Sequence, residues 1–347
     1  MYRALTNSNL FLNLWRAALI GAIILMLSTP SYAGGVKHYH QGKVQVVEIP
    51  PGILQASIVL GENHLGGTES LASMASRSRA VVAINGTYFS AYGGRPDPWN
   101  NLVMNGQAIH TGSTGTTIGI TRSGEVKMAP VKMKILGAIN GSYSWPNNWY
   151  AYGFNHTPSS NGIFIYTAKR GKSLGFAKGS SVIVRDGVVV GKAFSEDVSI
   201  PVDGYVINFS GSEQSLAERF NLGDRVEYNV VLENTCGEDW SQVITAVGAG
   251  PRLLTDGEIT VNPKGEGFTQ AKIIIGGGAR SAIGVKADGT ILLVTTQATI
   301  KQLAEIMKKL GAYNAMCLDG GASSGLWLQG KYLTKPGRLL SNALIFK

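Results

Sequence analysis

Cysteine is scarce in this chain: Cys236 and Cys317 are the two among 347 residues. Two thiols cannot build a disulfide framework, and they show none of the Cys/His spacing of a structural zinc site. Cys317 falls in an apolar run and Cys236 in a polar turn, so two free thiols are expected rather than a bridge. Histidine is also sparse, with five in all and none after His156. Charged residues make up 15 %, and the excess of Lys and Arg (31) over Asp and Glu (22) is scattered along the chain. No basic tract with interleaved aromatics occurs, which excludes an ordinary nucleic-acid surface. Long apolar runs are missing too. The longest near the N-terminus, Ala17–Leu27, has eleven residues and is too short for a comfortable bilayer span.

That run has its own meaning. Arg3 and Arg16 precede it with no acid between, and Ser31-Tyr32-Ala33 follows with small residues at the positions that matter for cleavage. This is the pattern of a secretory signal peptide over residues 1–33. The expected mature chain is residues 34–347, periplasmic or secreted, with no stable membrane span after cleavage.

The remainder reads as strand-rich with a few helices. Val44–Ile49, Ala56–Leu60 and Ala80–Ile84 alternate or run apolar, as strands do. Asp186-Gly187, Asp256-Gly257 and Asp288-Gly289 each sit between β-rich runs, a strong hairpin signal. Residues 68–79 suggest a short helix. Ile300–Leu310 suggests a clearer one, with Thr299 and Gln302 as a capping box and Gly311 as its stop. It feeds an apolar run, residues 314–318, that ends in Asp319. Gly, Ser, Asn and aromatics dominate residues 140–161, so residues 119–239 are expected to form an insertion or subdomain. Its aromatics (Trp145, Trp149, Tyr150, Tyr152, Phe154) suit cover for a satellite core better than sugar stacking. The expected fold class is α+β (mixed α/β): a large mixed β-sheet core with flanking helices and a hairpin-rich insertion.

Two tempting motifs fail on context. Gly321-Ala322-Ser323-Ser324-Gly325 matches the nucleophile elbow G-x-S-x-G, but the following residues read as a hairpin and no histidine lies downstream to act as base. The glycines at 276–278 and 248–250 do not complete G-x-G-x-x-G, because Ser281 and Leu253 stand at the last position. They read instead as places of close backbone approach.

Four small motifs stand at the ends of apolar strands: Asn85-Gly86-Thr87-Tyr88-Phe89, Gly248-Ala249-Gly250-Pro251, Ala279-Arg280-Ser281-Ala282-Ile283-Gly284, and Leu318-Asp319-Gly320-Gly321-Ala322-Ser323-Ser324. Arg338, before the last strand, is a fifth candidate. An amide, a carboxylate, two guanidiniums, hydroxyls and glycine amides form a polar, anion-capable set.

In this order and spacing the motifs resemble the phosphodiester glycosidase family, over roughly residues 80–344. The resemblance implies a hydrolase of a glycosyl-phosphodiester bond in an envelope or extracellular glycan. Asp319, Arg280 and Asn85 would be its catalytic residues. Gly86, Gly250, Gly320, Gly321, Ser323, Ser324 and Arg338 would contact substrate. A phosphate monoester is a good leaving group, so one carboxylate and one arginine could replace the usual carboxylate pair. Asp319 would act as nucleophile or as base toward water, and Arg280 would bind the phosphate. No cofactor is implied, with a divalent cation such as calcium left open. The partner is a glycan or sugar phosphodiester. The chain lacks an acid near Gln297, where family members often carry one. A non-catalytic glycan-binding or exopolysaccharide-assembly protein on the same fold is therefore the alternative.

Overall fold

The computed structural model describes residues 35–156, 161–234 and 236–347. The expected signal peptide lies outside them. Among the described residues no helix is long and apolar enough to cross a membrane. Three sheets surround the main core. The first runs in the order Lys37–Gln41, Val44–Ile49, Ile291–Ala298, Gly278–Val285, Asn314–Cys317, Arg252–Thr255, Glu258–Ile259. The second runs Lys331–Thr334, Leu326–Leu328, Val82–Asn85, Asn342–Phe346, Ala56–Leu60, and the third Gln107–His110, Leu102–Met104, Val243–Gly248, Thr117–Thr121, Val126–Ala129. All their pairings are antiparallel.

The expected α+β class holds broadly, with strand dominating over helix, but the expected large mixed sheet is corrected to three antiparallel sheets around the main core. Among the described residues only Gly153–Phe154 and Gly162–Thr167 pair in parallel. The physical reason is in the connections: tight Asp-Gly turns join antiparallel neighbours, whereas parallel strands need long crossovers. Asp186, Gly187, Asp256 and Gly257 all take positive φ, the backbone that matches a hairpin to the twist of its strands.

The first sheet is buried on both faces, which explains its near-continuous apolar runs. Ile283, Leu293 and Met316 point to the core shared with the other two sheets. Ala282, Leu292, Val294 and Ala315 point to the helix Ile300–Lys309 through Leu303, Ala304 and Met307. This helix begins with the expected capping box, in which the Thr299 hydroxyl accepts from the Gln302 amide. The other α-helices are short, Leu71–Arg77 and Ala271–Ile274.

Between Val131 and Asn234 the chain builds two further sheets: Asn148–Ala151, Val131–Ile139, Val226–Asn234, and a five-stranded one containing Gly162–Thr167 and Gly204–Ser210. They enclose a core of their own, with Trp149, Phe154, Phe209 and Phe220 at its centre. Along Asn148–Ala151 the aromatics divide by strand alternation, and Trp145 lies in the turn before that strand. Trp149 and Phe154 are buried, while Trp145, Tyr150 and Tyr152 face solvent. Cys317 is buried, Cys236 is exposed and both are free.

Candidate active site

Register places the central residues. Ala282 lies opposite Cys317 in an antiparallel pair, so Arg280 and Asp319 reach the same end of two neighbouring interior strands of the first sheet. After Cys317 the chain leaves that sheet, forms a single 3-10 turn at Gly321–Ser323, and enters the second sheet at Leu326. The Gly/Ser-rich segment is therefore a bridge between two sheets, and it floors a cleft of about 430 Å³.

Asp319, Arg280, Gly320, Gly321, Ser323 and Arg338 all line this cleft. Asp319 is half-buried. Burial pushes its carboxyl up to about 6, against the pull of the Ser323 hydroxyl, the Gly320 amide and the cations of Arg338 and Lys272. Arg280 is 8 % exposed. Its guanidinium donates to the carbonyls of Ala298 (3.2 Å), Lys272 (2.8 Å) and Gly276 (2.6 Å) rather than to Asp319. Those bonds occupy Nε and Nη2. Nη1 lies toward Gly320, where an added Cβ would sit 3.5 Å from it. Gly337 donates its amide to the Ala322 carbonyl at 2.8 Å, and this tie hangs the neighbouring Arg338 over the turn. Arg338 stacks on Tyr92, its guanidinium carbon 4.7 Å from the ring centroid, and donates to the Tyr92 hydroxyl.

Asn85, Gly86, Gly250 and Ser324 stand behind the cleft and are not among its lining residues. Asn85 is 1 % exposed. Its Nδ2 donates to the Asp319 carbonyl at 2.7 Å, while its Oδ1 accepts from the Ser281 hydroxyl (2.7 Å) and the Gly325 amide (3.0 Å). One side chain thus ties the two ends of the Gly/Ser segment to the strand of Arg280. This is a brace, and it leaves Asn85 turned away from any sugar hydroxyl in the cleft. Gly86 accepts the Asp319 amide at 3.1 Å, and an added Cβ there would meet Asn342 Oδ1 at 2.1 Å. Gly250, at φ +91°, accepts the Tyr88 hydroxyl at 2.8 Å. Ser324 Oγ is buried and has no hydrogen-bond partner.

Further lining residues were not singled out from sequence: Lys272, Gln270, Tyr88, Tyr92 and Trp99. Tyr88 belongs to the Asn85–Phe89 motif and could have been found there. Lys272 and Trp99 sit in unremarkable sequence and reach the cleft only through the fold. Cys317 lies beneath the site, buried, with its thiol pushed up to about 12 and therefore inert at neutral pH. Among the described residues no group of three or more His, Cys, Asp or Glu side chains converges to hold a metal.

Residues 178–347, which carry Arg280, Asp319 and Arg338, match the sequence profile of the phosphodiester glycosidase family. That family is one of glycosidase-type hydrolases. A search of curated proteins finds no match. Among solved structures, a hypothetical protein from Synechocystis superposes with a TM-score of 0.78 at 24 % identity, covering 90 % of this chain. This chain spans 61 % of that protein's length. A Burkholderia pseudomallei protein described as exported superposes with a TM-score of 0.70 at 21 % identity, covering 91 % of this chain and 76 % of the other. These likenesses establish the fold. A more distant one, at TM-score 0.46 and 14 % identity over 91 % of this chain and 80 % of the other, is to the catalytic domain of zebrafish N-acetylglucosamine-1-phosphodiester α-N-acetylglucosaminidase.

Proposed function

We propose that this protein is an exported hydrolase that cleaves a glycosyl-phosphodiester bond in an envelope or extracellular glycan. The observation that carries this reading is the cleft itself: among the described residues Asp319 is the one carboxylate on its lining, with Lys272, Arg280 and Arg338 around it. A single carboxylate cannot supply both the acid and the base of an ordinary glycosidase. A phosphodiester removes the need for the acid, because the departing phosphate monoester leaves as an anion. Three cations then do what a proton donor does elsewhere: they stabilise the charge that develops on the leaving oxygen.

In this mechanism Asp319 attacks the anomeric carbon, or takes a proton from a water that does so. The bond from that carbon to the phosphate oxygen breaks, and the phosphate monoester departs held by Arg280, Lys272 and Arg338. Water completes the hydrolysis, its hydroxyl ending on the sugar. The carboxylate form is required, and a pKa near 6 keeps Asp319 ionised at neutral pH while raising its basicity. Arg280 is suited to the phosphate because three carbonyls fix its planar fork in advance.

The test is turnover of an aryl α-glycosyl phosphodiester by the full chain. Asp319→Asn should lose at least about a hundredfold in rate. Near-wild-type turnover by that variant would remove Asp319 from the chemistry. Glycan binding without cleavage over long incubation would favour a non-catalytic role on the same fold.

A further inference from the structure

One wall of the cleft is aromatic. Tyr88 and Phe89 are buried, but Trp99 is 47 % exposed and Tyr92 81 % exposed, and all four line the same cavity as Asp319. Large rings left open beside a concentration of cations call for a ligand. Trp99 is held in a definite pose. One face stacks on Tyr88 with centroids 6.2 Å apart and planes 23° apart, and its indole N–H donates to Ser90 Oγ at 3.0 Å. Its polar atom is therefore occupied, and the surface it offers is flat and apolar.

The loop that carries the rings is stapled in several places. The Trp99 amide donates to the Tyr88 carbonyl at 2.9 Å and the Ser90 amide to the Asp97 carbonyl at 3.0 Å. Arg95 pairs with Asp97 at 2.7 Å at its base. A ring already fixed loses little entropy when a ligand stacks on it.

The chemistry of a matching ligand is specific. It must present an apolar face to Trp99, polar edges to solvent, and an anion to Lys272, Arg280 and Arg338. A pyranose joined to a phosphate has all three. We infer that Trp99, with Tyr92 beside it, forms a pyranose-stacking subsite that selects a sugar ring attached to the phosphate held by the cations. The inference rests on the glycosyl-phosphodiester reading for the neighbouring anion, but it concerns binding and does not depend on cleavage. Trp99 is the cleaner residue to test, because Tyr92 also supports Arg338.

Calorimetric titration of the full chain would use four phosphate monoesters: methyl phosphate and the α-1-phosphates of glucose, galactose and N-acetylglucosamine. All carry the anion, and three carry a ring. At least one sugar phosphate should bind about three- to tenfold tighter than methyl phosphate. Trp99→Ala should erase that advantage and leave methyl phosphate unchanged, while Trp99→Phe should keep part of it. Thermal melts of both variants confirm that the fold is intact. If methyl phosphate binds and no sugar phosphate exceeds it, or if the advantage survives in Trp99→Ala, the subsite is overturned and the anion site stands. If none of the four binds, the anion site and the subsite both fall.

Discussion

Two buried arginines in this molecule look alike by exposure and differ in what they leave open. Arg170, 3 % exposed, sits where residues 131–234 meet the main core. Its Nε donates to the Leu174 carbonyl, its Nη1 to those of Asn155 and His156, and its guanidinium lies 5.1 Å from the centroid of Tyr166. Asp97 pairs with it at 3.9 Å. Around it His110 and His156 stack with centroids 4.6 Å apart, and burial lowers both histidines, His110 to about 3. Arg170 is enclosed by protein on every side. Arg280 is equally anchored by carbonyls but stands on the wall of an open cleft. The lesson is that burial alone does not mark a functional cation. What separates Arg280 from Arg170 is anchoring on one side and space on the other.

This comparison can be broken by mutation, and the largest expected effect falls on the enclosed arginine. Arg170→Met should cost on the order of 3 kcal/mol in urea unfolding, because it strands three carbonyls and half of an ion-pair network. Turnover per folded molecule should stay within about threefold. A variant that unfolds normally but loses activity would reverse the assignment. Arg280→Lys should do the opposite. A lysine cannot reproduce the fork, so turnover of an aryl α-glycosyl phosphodiester should fall about ten- to a hundredfold, while the melting temperature drops less than in Arg170→Met because the lysine ammonium can still reach one of the three carbonyls.

Asn85→Ala tests the brace behind the cleft. It removes three hydrogen bonds and should destabilise by about 2 kcal/mol while also lowering turnover, since the Asp319 segment loses its tie to the Arg280 strand. A loss of activity with unchanged stability would instead return Asn85 to direct substrate contact.

The pH dependence should be the gentlest signal. Asp319 is raised to about 6, so kcat/KM should climb with pH through about 6 and level off above it. The stability sign is the reverse. A carboxyl raised above its unfolded value contributes stability that is present below about 4 and lost as pH rises through about 6. Asp319→Asn should therefore melt a few degrees higher than the parent on the order of pH 7.5, with the difference gone near pH 4. A variant that melts lower at the higher pH would contradict the burial of an ionised carboxylate.

The strand-end motifs were readable because each is written in local chemistry. The three Asp-Gly turns all take positive φ at the glycine, Thr299 and Gln302 satisfy each other's amides, and strands buried on both faces show unbroken apolar runs. Arg280, Asp319, Gly320, Gly321, Ser323 and Arg338 were drawn to one cleft, as their positions at strand ends suggested. The reading failed where orientation mattered. Asn85 looks like a ligand-binding amide but faces inward, and Trp99 looks like an ordinary loop residue but opens into the cleft. A side chain's direction at a strand end depends on the neighbouring sheet, and no local pattern encodes that.

By itself, then, the sequence determined the hairpins, the capped helix and the residue types available for anion chemistry, because those follow from backbone torsions and side-chain chemistry over a few residues. Only the tertiary structure decided that the first and second sheets pack on a common core, that the segment from Asp319 to Gly325 bridges them, and that Lys272, Tyr92 and Trp99 join Asp319 there. Those contacts join residues far apart in the chain, and they exist only once the apolar faces of three sheets have closed on a common core.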